Sequence, residues 1–428
     1  MKNNLHVVHS KFESEPPEKV PFQRPQIGEE EIAEVVETLR SGWLTSGPKV
    51  KKFEEEFARA VNARCAVAVN SCTAALHLAV EAMNLRAGQA VLVPTMTFAA
   101  TSEIVLYKNA VPILVDCDAR TGNMDLRDAE EKLRKLKSGE LSVNGTQPTE
   151  IVGMIPVHVG GYLMNIGEIK QFAAKHGLWI IEDAAHSFPA AWRADAESDW
   201  EYCGEDTAHV TCFSFYANKT ITTGEGGMAV TGDQALADKI RMLSLHGLSH
   251  NSWKRYSGEG DWDYKIIMPG YKYNLTDIAA AIGLHQLKRA ETMRRGREAV
   301  AEYYLSSLSE VSEIELPPIS DDRVHSWHLF PIRLNLEELT IDRNVFLEEL
   351  RAKGIGCSVH WRPLHLHPLY AEKFGWKSSD FPIATDLWRR IISLPIFSSM
   401  TIAEIRHTTD TVKKLCAAHD PQAVKQVA

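Results

Sequence analysis

No apolar run in this chain approaches the roughly 20 residues that span a bilayer, and the N-terminal stretch MKNNLHVVHSKFESEPPEK has no apolar signal core. A soluble protein is expected, located in the cytoplasm, with a loose N-terminal arm. Cysteine is sparse: seven residues, at 65, 72, 117, 203, 212, 357 and 416, without a CxxC pair. That number and spacing indicate neither a disulfide framework nor a zinc site. Runs of positive charge are missing too. With a formal net charge of −9, a nucleic-acid-coating or anionic-membrane role is disfavoured, and any anionic ligand must meet a few locally placed cations. Neither GxxxxGK[ST] nor a GxGxxG after the first strand occurs. This counts against a P-loop protein and against a nicotinamide oxidoreductase. There is no internal repeat and no low-complexity tract.

What is present is length and alternation. A chain of 428 residues exceeds the usual single core, so two packed domains are expected. From Pro25 onward short apolar runs alternate with longer helical ones, the pattern of an α/β fold with a mostly parallel sheet. Strands are expected at 65–69, 90–93, 112–115, 151–156, 179–181 and 210–215, and helices at 29–39, 73–82 and 166–175. A long, interrupted helix over 278–305 would join the domains. Beyond it HLFPIRLNL, FLEELRAKG and CSVHW read as strand, helix and strand of a smaller α+β unit. Residues 132–150 read as a polar surface excursion. The expected division is an arm over 1–24, a large α/β domain over 25–283 and a small C-terminal domain over 284–428.

Three places could carry chemistry. In CAVAVNSCTAALHL a buried strand ends at Asn70, and Ser71, Cys72 and Thr73 begin an apolar helix, so free backbone N–H groups and the helix dipole could hold an anion. Ordinary capping by Ser71 or Thr73 explains the same residues. In LWIIEDAAHS the strand delivers Glu182 and Asp183 to its carboxyl end, the edge where open α/β sheets bind ligands. A carboxylate there could also cap the next helix, and His186 could be a core histidine. Lys219 follows the strand VTCFSFYA and precedes TTGEGGMAV, a glycine bend leading into another buried strand. A surface lysine is the plain alternative. Together, an anion cradle, a strand-end aspartate and a strand-end amine are what pyridoxal phosphate requires: a phosphate anchor, a partner for the pyridinium nitrogen and a Schiff-base lysine.

In these residues the chain resembles the DegT/DnrJ/EryC1/StrS pyridoxal phosphate-dependent sugar aminotransferases. The likeness runs from about Pro25 to Met400 through SGWLTSGP, NSCTAALHL, VPTMTFAAT, PVHVGG, IEDAAH, FSFYANKTITTGEGG, GYKYNLTDIAAAIG and SLP. It implies the fold type I (aspartate aminotransferase-like) architecture and a homodimer with shared active sites. It makes Lys219 the Schiff-base lysine and Asp183 the pyridinium partner, with His186 beside them. Ser71, Cys72, Thr73 and Ser214 would hold the phosphate, Phe98 would stack on the ring, and Asn274 would reach the neighbouring subunit's cofactor. It further implies transamination from L-glutamate, through the pyridoxamine form, to a nucleotide-linked 4-keto sugar on UDP or dTDP.

The sugar's diphosphate would need cations. The candidates for substrate contact are Thr45, the segment Lys254-Arg255-Tyr256, Lys272, and His360 and Arg362 of an HxRxxHxH cluster that continues to His365 and His367. That cluster is read as a substrate-facing loop and not as a metal site. The chain departs from the family at Asn218-Lys219-Thr220, where Thr-Lys-Asn is more common, and at 161–165 and 187–189, which bear on substrate preference. Two other readings are a related sugar dehydratase, disfavoured because its lysine position carries histidine, and a non-catalytic regulatory protein on this fold.

Overall fold

The computed structural model describes residues 17–141, 143, 148–248 and 265–421. Its centre is a seven-stranded sheet in the order Cys65–Val69, Gly227–Thr231, Val210–Ser214, Trp179–Asp183, Ile151–Met154, Ala90–Pro94 and Val111–Val115. Gly227–Thr231 pairs antiparallel with both neighbours and the other pairings are parallel. Every residue of Cys65–Val69, Ala90–Pro94 and Gly227–Thr231 is buried, as expected of strands covered by helices on both faces. The strands ending at Val69, Pro94, Asp183 and Ser214 run in one direction. Their carboxyl ends therefore open on one edge, where the chain carries Ser71, Phe98, Asp183 and Lys219.

Local chemistry sets the elements around that edge. The helix Cys72–Ala82 starts where the Ser71 hydroxyl accepts from Ala74 N at 3.1 Å, and nine of its eleven residues are buried. Its first turn lies so close to the neighbouring strand that a Cβ on Gly227 would come within 2.4 Å of the Ser71 carbonyl carbon. Only glycine permits this approach. The long connecting helix is two helices, Asp277–Lys288 and Ala290–Leu308, meeting at Arg289.

A second core gathers Val300, Tyr304, Phe330, Phe346, Leu394 and Val412 around the antiparallel sheet of Ile314–Glu315, Phe330–Leu334 and Ile391–Leu394. The segment CSVHW does not form the expected strand. Ser358 exchanges two backbone hydrogen bonds with Ser393, at 3.2 and 2.8 Å, and the pairing stops there. His360 instead turns its ring to the Ser393 hydroxyl, and Pro363, lacking an N–H, cannot extend a ladder.

The arm also differs from expectation over its described part, 17–24. Val20 is fully buried in the second core, and its backbone bonds Gly354 O and Gly356 N at 2.9 and 2.7 Å. Gly356 makes room, since a Cβ there would lie 2.4 Å from Phe22 N. The expected polar excursion over 132–150 starts inside a packed helix, Leu126–Lys137, which buries Ala129 and Leu133. Among the described residues no helix is long and apolar enough to cross a membrane.

Candidate active site

A cavity of about 500 Å³ opens at the carboxyl edge of the sheet and reaches Val359, which packs against the second core. It is lined by Ser71, Cys72, Thr73, Phe98, Asp183, His186, Ser214 and Lys219, with His328, His360 and Trp361 from beyond the connecting helices. Eight of the residues expected to hold cofactor, drawn from four separate strand ends, are thus brought to one place.

Lys219 is in the cavity wall, where burial brings its amine down from an ordinary value near 10.5 to about 8. Its Nζ lies 3.4 Å from His328 Nε2. Asp183 is buried, and its carboxylate accepts from the Thr101 hydroxyl at 2.7 Å and from Ala185 N at 3.2 Å. Burial raises its pKa despite these two donors. An ionised Asp183 in this setting calls for a cation, and a protonated heterocycle would supply one. Glu182, its neighbour, faces the other side of the strand. It accepts from Thr207 and Thr211 hydroxyls at 2.5 and 2.8 Å and lies 3.3 Å from His158 Nε2, so it is neither a helix cap nor a cavity residue. His158, Glu182 and Cys203 bring their ligand atoms within 4.8 Å of one another, but these donors already occupy the carboxylate.

His186 packs between the His328 ring, at 4.1 Å between centroids, and Trp361, stacked at 5.2 Å. Burial holds His186 and His328 well below the usual imidazole range, and His360 is lowered to about 4. The cavity therefore presents three neutral imidazoles near neutral pH. Phe98 lines the cavity and is 63% exposed.

The other expected residues are placed elsewhere. Thr45, Lys272 and Asn274 form one patch outside this chain's cavity: Asp277 N donates to Thr45 O, Lys272 Nζ to Asn274 Oδ1, and Asn274 Nδ2 to Ser46 Oγ. Lys254, Arg255 and Tyr256 lie outside the described residues. The HxRxxHxH cluster is dispersed. Arg362 turns to the Leu366 carbonyl at 2.7 Å and lies over Trp388, while His365 is buried between Thr95 and Thr385 hydroxyls at 2.7 and 3.0 Å. Of these, His360 alone lines the cavity.

Sequence reasoning missed Thr101, Arg297, His328 and Trp361. Arg297 is fully buried and donates to the carbonyls of Trp327, His328 and Ile396 at 3.3, 3.5 and 2.9 Å, with Asn218 O at 3.5 Å. It thereby ties the lysine loop to the hinge and to the second domain. A charged residue at an otherwise buried position of the hinge helix is the one signal the sequence offered.

The sheet order, the strand-end amine and the buried strand-end aspartate define a fold type I pyridoxal phosphate enzyme. The residues fit the cofactor: a helix start that Gly227 lets the sheet approach, and a buried carboxylate and an amine in one cavity. The family model of the DegT/DnrJ/EryC1/StrS aminotransferases matches residues 25–413, and the chain belongs to that family. It is a pyridoxal phosphate-dependent aminotransferase. The spore coat polysaccharide biosynthesis protein SpsC of Bacillus subtilis is 40% identical over 402 residues, covering 94% of this chain and 98% of that one. The uncharacterized protein MJ1066 of Methanocaldococcus jannaschii is 44% identical over 398 residues, covering 92% and 97%. Among solved structures, the putative sugar aminotransferase Spr1654 of Streptococcus pneumoniae in its pyridoxal phosphate form superposes with a TM-score of 0.80 at 29% identity, covering 94% of this chain and 99% of that one.

Proposed function

We propose that this protein transfers an amino group from L-glutamate to a nucleotide-linked 4-keto sugar on UDP or dTDP, for polysaccharide, glycan or secondary-metabolite synthesis. The observation that carries the reading is Lys219 and Asp183 converging in one cavity with the Ser71–Thr73 helix start. The bound cofactor would carry the amino group between donor and acceptor and delocalise the charge left when the substrate carbon loses its proton. Ser71, Thr73 and Ser214 would hold its phosphate with the backbone N–H groups of the helix start. Asp183 would hold the ring nitrogen protonated, and Lys219 would move the proton at the substrate carbon. The sugar reading is supported by the solved Spr1654 neighbour. A panel of UDP- and dTDP-linked keto-sugars with L-glutamate, followed by mass for exchange of carbonyl oxygen for amine, tests it. Turnover of simple keto acids with no sugar aminated would refute the sugar half of the reading.

Phe98 is assigned to the cofactor's ring face. Phe98→Ala is expected to weaken pyridoxal phosphate binding by about 5- to 30-fold, or about 1–2 kcal/mol, measured by titration of cofactor fluorescence. Because the side chain is exposed in the cofactor-free chain, the urea midpoint of that form should not move.

The patch of Thr45, Lys272 and Asn274, gathered outside its own cavity, is assigned to the active site of a second subunit in a homodimer. Lys219→Ala and Asn274→Ala are each expected to be impaired alone. Refolded together, they should regain activity, because a hybrid dimer holds one site with both residues intact. No recovery in verified hybrids would place Asn274 outside the shared site.

A further inference from the structure

We propose that His328 is a further catalytic residue, whose Nε2 lies beside the free amine of Lys219 and accepts the proton that this amine sheds as it bonds to carbon. The inference rests on the reading of Lys219 as the cofactor's amine. The transfer is a single exchange: as Nζ forms its bond to carbon, one Nζ–H bond breaks, one Nε2–H bond forms, and the positive charge passes from the attacking nitrogen to the imidazole.

Position comes first. His328 is 97% shielded from solvent, at 3% exposure, and its Nε2 lies 3.4 Å from Lys219 Nζ. Its ring is held on one side by His186 at 4.1 Å, and His186 in turn stacks on Trp361. Its carbonyl is held by Arg297, which also reaches the Asn218 carbonyl beside Lys219. One guanidinium therefore fixes donor and acceptor to each other, although the two residues are 109 positions apart.

The alternatives for receiving the proton are occupied or differently placed. Asp183 is committed to Thr101 and Ala185. The Cys72 thiol is raised well above its usual value by burial and directed at the Cys212 carbonyl at 3.5 Å. The groups facing Lys219 are Cys72 at the helix start, Asp183 and His186 at the strand end, Glu225 in the glycine turn, Arg297 on the hinge helix and His360 from the second domain. The buried Arg297 charge opposes a second positive charge at either member of the pair. Lys219 and His328 consequently carry one positive charge between them at most.

The test uses the full-length, cofactor-free protein and needs no substrate. Labelling of Lys219 by trinitrobenzenesulfonate is followed across pH by peptide mass. In the wild type the midpoint is expected near 8, the value burial imposes. His328→Phe removes the acceptor that steadies the ammonium, and the midpoint should fall by about half to one pH unit. His328→Asn keeps a carbonyl acceptor and should keep the midpoint. Having no site for the proton, it should attach added pyridoxal phosphate on the order of 100-fold more slowly than wild type.

A His328→Phe profile that superimposes on the wild type, or wild-type attachment in His328→Asn, overturns the proposal. If the phenylalanine variant does not fold, as judged by circular dichroism, the asparagine variant decides by attachment rate alone. Failure of the underlying reading would look different, since Lys219→Ala would then still bind the cofactor covalently.

Discussion

Lys219→Ala is expected to abolish covalent retention of pyridoxal phosphate and to lower turnover by about 10³- to 10⁴-fold, the upper range for losing a positioned proton carrier. The check is direct: after borohydride reduction, the wild-type chain should gain one cofactor by intact mass and the variant none. Reversible binding should survive, because Ser71, Thr73, Ser214 and Phe98 line the cavity independently of the lysine. The cavity also explains why this lysine works near neutrality. With its amine lowered to about 8 by burial, about one chain in ten carries it neutral at pH 7, against about one in several thousand for an ordinary lysine. The rate of cofactor attachment should accordingly rise with pH up to about 8 and level off. A rise that continues toward 10 would mean that the amine is not the buried one. Partial rescue of the variant by a small added amine would assign the loss to the missing base.

Much of the site was legible because it is local. Ser71, Asp183 and Lys219 each stand just past a short apolar run, and a run of buried residues ends where the chain leaves the sheet. The period of two along a strand also separates Glu182 from Asp183, sending one to Thr207 and Thr211 and the other to the cavity. The adjacent pair could not be told apart without knowing which face the cavity occupied.

His328 and Trp361 were illegible for the opposite reason. Each reaches the site from beyond the connecting helices, and nothing near it in sequence marks the contact. Reading the HxRxxHxH cluster as one substrate-facing loop failed because Leu364–Leu366 is a short 3-10 turn, which carries His365 to Thr95 and Thr385 and leaves Arg362 outside the cavity. Over 17–24 the looseness expected of the arm failed on composition, since one buried valine and two glycines that admit it outweigh a polar neighbourhood.

Asp183→Asn should separate activity from stability. At neutral pH the wild-type carboxylate faces the position assigned to the ring nitrogen, and its charge would favour the protonated ring. Asparagine keeps the size and can still accept from Thr101, but it removes the charge. Breaking one partner of a buried charge pair costs about 3–5 kcal/mol, so the amino-donor half-reaction should slow by about 10²- to 10⁴-fold. Stopped-flow absorbance of the loaded enzyme mixed with L-glutamate reads that rate. Thr101→Val, which deletes one donor to the carboxylate at 2.7 Å, should cost about tenfold, the scale of a single hydrogen bond to a charged group. The folded chain without cofactor should respond in the other direction. Burial raises the Asp183 pKa above its ordinary value, so its contribution to stability is present below the ordinary aspartate range and is lost as pH rises through the raised value. Above that raised value the cofactor-free wild type holds a carboxylate that burial disfavours, and Asp183→Asn relieves it. The cofactor-free variant should melt no lower than wild type, while the cofactor-loaded variant should lose most of the stabilisation that binding gives. A variant that loses stability without cofactor, yet keeps its half-reaction rate, would make Asp183 a structural residue and leave the ring nitrogen without its assigned partner.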